Sequence, residues 1–66
     1  MLNDQDKKEI LLQVFHKAVS DHDQAPRNRR TWIHGYATGL LIALFRCGFI
    51  DKAQYDGLNK DLGPAP

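Results

Sequence analysis

Apolar residues fall along the chain in three blocks of helical spacing, separated by two polar interruptions. In the first block Leu11, Val14, Phe15 and Ala18 follow the 3, 4 and 7 spacing of one helical face. Ile10 widens that face on one side, Leu12 and Val19 on the other. At 100° per residue the apolar arc covers about 200°, wider than the ~100° stripe that suffices to face one core. Glu9, Gln13, His16, Lys17 and Ser20 take the polar side. Asn3 is a natural N-cap, because its side-chain oxygen accepts a backbone N–H of the first turn. Asp4, Asp6 and Glu9 then sit near the positive end of the helix dipole. The pattern predicts a helix over residues 4–20. In the following "SDHDQAPRNR", Asp, Asn and Ser compete with the helix for backbone hydrogen bonds. Pro26 also disfavours helical geometry at Ala25, so a loop of about seven residues is expected.

The second block, "WIHGYATGLLIALFRCG", spans Trp32 to Gly48 and is apolar on nearly every side. It predicts a helix over 29–47, stopped by Gly48, since the residue after a helix often adopts the left-handed conformation. Arg46 lies in the last turn, where a cation suits the dipole. On a helical wheel Gly35, Gly39 and Ala43 form a strip of small residues, flanked by Trp32 and Ile42. Ile33, Tyr36, Ala37, Leu40, Leu44 and Cys47 lie opposite, with Leu41 and Phe45 on a third side. Each glycine costs about 1 kcal/mol in a helix interior relative to alanine. In return, a missing side chain lets another backbone approach closely. Gly35, Gly39, Leu40, Ile42, Ala43, Leu44 and Phe45 are therefore the expected helix-packing set, against the first helix or a second copy of the chain.

The third block opens with Asp51 as N-cap and Gln54 three residues on, the pattern of a capping box. Ile50 before the cap and Tyr55 in the first turns form a hydrophobic staple. A helix over 52–61 follows, with Leu58 and Leu62 beside Tyr55 on its apolar side. Gly63 ends it, leaving 63–66 as a flexible tail. The expected architecture is all-α: one domain over 1–62, a helical hairpin plus a short third helix.

Size changes this picture. The chain has 66 residues, and chains below roughly 70–80 residues usually need a disulfide, a metal or oligomerisation. Cys47 is the only cysteine, which excludes an internal disulfide and suits a reducing compartment. A homo-oligomeric helical bundle is the expectation that remains. The N-terminal "MLNDQDKKEILL" lacks the features of a signal peptide. The longest apolar stretch, Tyr36 to Ile50, falls short of the roughly 20 residues of a membrane span. A cytoplasmic location without membrane contact is expected.

The net charge of +1 hides an uneven layout. Residues 1–25 hold three lysines against five acids, residues 26–50 four arginines and no acid, and residues 51–66 two lysines against three acids. The basic middle is sharpest in "PRNRRTWIH", where Arg27, Arg29 and Arg30 cluster at a helix start beside Trp32 and His34. A helix N-terminus offers unpaired N–H groups and a positive dipole to phosphate or carboxylate. Arginine adds planar, bidentate donors. These five residues are the expected site for a partner or an anion, in practice an acidic protein surface. The plainer alternative is a solvated basic loop with Trp32 in the core.

Other chemistry finds little support. His16, His22 and His34 lack the convergence of the three or four ligands a zinc site needs. A lone cysteine late in an apolar helix is a small core residue more often than a nucleophile. No nucleophile, base and orienting group come together, so no enzyme, metal or cofactor is expected. Tyr36 and Tyr55 fit core or interface positions with their hydroxyls at the edge.

In size, in the closing "CGFIDKAQYDGLNKDL" pattern and in its oligomer-like core, the chain resembles the compact accessory proteins that phages and mobile elements encode against host machinery. That resemblance carries no residue roles. It implies a small non-enzymatic binding protein, an oligomeric inhibitor or regulator of a larger protein. Two alternatives stand beside it: a nucleotide or nucleic-acid binder using the basic loop, and a structural subunit of a larger assembly. A helix-turn-helix ranks low, because "DKAQYDGLNKDL" is poor in base-reading residues.

Overall fold

The computed structural model describes residues 2–65. Three helices follow one another: α1 (Asp4–Gln24), α2 (Arg27–Arg46) and α3 (Lys52–Leu62). No strand occurs among the described residues.

The helix starts and stops follow local chemistry. Asn3 caps α1, its Oδ1 accepting the Asp6 N–H at 2.8 Å. At α3 the capping box closes both ways: the Gln54 N–H donates to Asp51 Oδ1 at 2.8 Å, and the Asp51 N–H to Gln54 Oε1 at 3.0 Å. Between these, α2 ends in a Schellman turn. Gly48 takes φ 76°, the Phe49 N–H reaches the Leu44 carbonyl at 3.0 Å, and the Gly48 N–H reaches the Phe45 carbonyl at 3.0 Å. A side chain at that φ would be strained, so the glycine is what lets the chain turn into α3.

The first joint differs from expectation. α1 runs to Gln24, through the segment expected to be loop, and only Ala25 and Pro26 separate it from α2. Packing overrides local preference here. His22 lies on the side of α1 that faces α2, its side chain only 13% exposed, which draws the last turn into the fold. The break itself sits where Pro26 demands it, with Ala25 extended at ψ 150°. α2 starts at Arg27 instead of residue 29, and α3 ends at Leu62 instead of 61. In the expected tail, Gly63 is tied down: its N–H donates to the Asn59 carbonyl at 3.1 Å. Pro66 lies outside the described residues.

The core is small: Phe15 and Ala18 from α1, Ala37, Leu41 and Leu44 from α2, then Ile50 and Leu62. Leu11, Leu12, Val19, Ile33, Leu40, Phe49, Tyr55 and Leu58 pack around it. α2 is the centre of this arrangement. α1 packs along one side and α3 along another, while α1 and α3 barely meet. A groove of about 530 Å³ lies between those two, floored by Leu12, Ile50 and Leu58.

Candidate functional site

With α1 and α3 on two sides of α2, its third side stays open. That side carries Trp32, Gly35, Tyr36, Gly39, Ile42 and Ala43. Trp32 is 71% exposed, Tyr36 48% and Ile42 42%. Trp32 and Tyr36 are four residues apart, so they sit one above the other on the helix. Their rings stack with centroids 5.7 Å apart and planes 2° from parallel. The two glycines lie beside this pair, and a Cβ added at either would meet no described atom within 4 Å. Of the two partners expected for the Gly35–Gly39 strip, α1 is therefore not the one: it lies on a different side.

The packing set divides accordingly. Leu44 is fully buried in the core, and Leu40 packs against it from a half-buried position. Phe45, 42% exposed, leans on Tyr55 of α3 with ring centroids 5.3 Å apart. Ile42, Gly35 and Gly39 face outward, with Ala43 half-buried at the edge.

The basic edge divides too. Arg27 and Arg29 are exposed at the first turn of α2. That turn has Pro26 as its cap, no side-chain cap hydrogen bond and no acid, so nothing on α2 offsets the positive end of its dipole. Arg29 and Trp32 line a notch of about 410 Å³ together with Asp21, Gln24, Pro26 and Ile33. Arg30 serves the joint instead. Its Nε donates to the Ala25 carbonyl at 2.9 Å, satisfying an acceptor at the break between the helices. His34 is turned away from the edge altogether. Its Nε2 donates to the Gly63 carbonyl at 3.0 Å. Of the five residues expected to form one site, the structure brings Arg27, Arg29 and Trp32 to the open end of α2 and gives Arg30 and His34 intramolecular partners.

Two features escape sequence reasoning. Tyr36 belongs to the exposed aromatic pair; its i+4 spacing from Trp32 was the available signal. His22 is the other: Nδ1 and Nε2 are both buried with no hydrogen-bond partner among the described residues. Asp23 Oδ1 lies 3.5 Å from Nδ1, too long for a hydrogen bond. The His22 ring instead lies against His34, centroids 5.7 Å apart. Helical spacing alone does not show that residue 22 is still helical, so this contact was invisible.

Among the described residues no group of three or more His, Cys, Asp or Glu is arranged to hold a metal ion. No described helix is long and apolar enough to cross a membrane. Compared with protein-family models, curated proteins and solved structures, the chain matches none of them.

Proposed function

We propose that this chain is a small non-enzymatic cytoplasmic binding protein, an oligomeric inhibitor or regulator that docks on an acidic surface of a larger protein. The observation that carries the reading is the exposed Trp32–Tyr36 stack, with Arg29 lining the same notch as Trp32 and Arg27 exposed in the same first turn of α2. Trp, Tyr and Arg are the residue types in which binding energy concentrates at protein interfaces. A flat aromatic surface with cations at its edge suits a partner that offers an apolar patch ringed by carboxylates. The resemblance to compact phage accessory proteins points the same way.

The uncapped start of α2 favours a second reading, a phosphate-bearing ligand held by the same arginines. One experiment separates them. Affinity capture from the native cell is compared between the wild type, Trp32→Ala and Arg27→Ala/Arg29→Ala. A protein retained by the wild type and lost from both variants supports the docking reading. Recovery of nucleic acid or nucleotide, with affinity falling steeply as salt rises, supports the second. Identical capture by all three chains overturns both.

A further inference from the structure

We infer that the open face of α2 pairs with the same face of a second copy, the two α2 helices running antiparallel and crossing near Gly39. The inference rests on reading that face as a binding surface: the second copy covers it at rest, and a larger partner that takes Trp32 must displace that copy.

Area is the first argument. The chain exposes 4784 Å² for 7.5 kDa, whereas a folded monomer of that mass exposes about 4,250 Å². The surplus is about 500 Å² per copy, or about 1,000 Å² for a pair, where specific interfaces begin. Of the six large hydrophobic side chains exposed among the described residues, Trp32, Tyr36 and Ile42 lie on this face of α2, whereas Leu2, Ile10 and Phe45 lie elsewhere.

Charge sets the direction. α2 carries Arg27, Arg29 and Arg30 at its start, Arg46 at its end, and no acid. Parallel pairing would set two arginine clusters and two positive dipole ends together. Antiparallel pairing sets each cluster beside the negative end of the other helix. Trp32 and Arg46 lie seven residues before and after Gly39. In the antiparallel pair, Arg46 of the second copy therefore arrives at Trp32, where Asp21 lines the same cleft. A guanidinium there meets both an aromatic face and a carboxylate. Shape agrees, since the twofold brings Ile42 of one copy over Gly35 of the other and Tyr36 over Ala43. The open space at both glycines then becomes the room the second helix occupies.

Cys47 reports the orientation. Both Cys47 residues lie eight positions beyond the crossing, hence about 24 Å apart in the antiparallel pair, far outside disulfide reach. The test is sedimentation of the full chain over a range of concentration, followed by mild oxidation. The wild type should sediment as a dimer without forming a disulfide. Cys47→Ser/Gly39→Cys should form a covalent dimer on oxidation. Gly39→Leu should weaken association by at least about tenfold with helicity retained by circular dichroism. If Gly39→Leu unfolds, Arg46→Glu provides the same reading from the periphery: weaker association, restored in part by Asp21→Arg. A wild-type monomer at all concentrations overturns the inference, as does ready oxidation through Cys47. If the monomer still captures a larger partner through Trp32, the docking reading survives alone.

Discussion

The His34 imidazole donates from Nε2 to the Gly63 carbonyl, 3.0 Å away, fastening the first half of α2 to the end of α3. The two residues are 29 positions apart, and no other side-chain hydrogen bond among the described residues spans more than five. His34→Phe keeps an aromatic ring, a larger one, and removes the donor. It should cost about 1 kcal/mol, read by urea denaturation, and should speed proteolytic removal of the segment after Asn59.

His22 makes the opposite prediction. Its ring nitrogens are buried without partners among the described residues, so part of its hydration is lost without return. His22→Leu should stabilise the fold, by about 1 kcal/mol, since an unsatisfied buried group costs about 1–3. A lower melting temperature would show that the His22–His34 ring contact contributes more than its desolvation removes.

Arg29 and Arg30 are neighbours with separate consequences. Arg30→Ala should destabilise the fold by about 1 kcal/mol, through the lost hydrogen bond to Ala25. Arg29→Ala should leave stability within about 0.5 kcal/mol, as exposed substitutions usually do. Only Arg29→Ala is a clean probe of binding. Thermal melts of the two variants, run side by side, check the distinction.

At the other joint, Asp51→Ala removes the acceptor for the Gln54 N–H. A loss of about 1 kcal/mol is expected. Asp51→Asn, which keeps a capping oxygen, should recover most of it in the same denaturation experiment.

The fold was readable where one local rule decided the outcome. Asn3, Gly48, Asp51 and Gln54 act through neighbours within a few residues, and each stands where its pattern implied. The last turn of α1 was not readable, because His22 is held helical by burial against α2, a contact distant in sequence. The same limit applied to the site. In "PRNRRTWIH", Arg27, Arg29 and Trp32 are exposed at the start of α2. Adjacency in the sequence placed His34 with the arginines, the i+4 spacing that puts Tyr36 on the same face as Trp32 was passed over, and the wheel could not tell which side of an apolar helix its neighbours would leave uncovered. The exposure of that side and the turn of His34 toward Gly63 depend on where α1 and α3 lie, which periodicity does not encode.

That α1 and α3 barely meet has a kinetic consequence. Almost every long-range contact joins helices adjacent in the chain, across a two-residue joint (Ala25, Pro26) and a five-residue joint (Cys47 to Asp51). Native contacts can form first beside each joint, so closing the first loops costs little entropy. Local topologies of this kind fold in microseconds to milliseconds. Because α2 is shared by both hairpins, ordering can spread from either joint, and a lesion at one leaves the other able to nucleate.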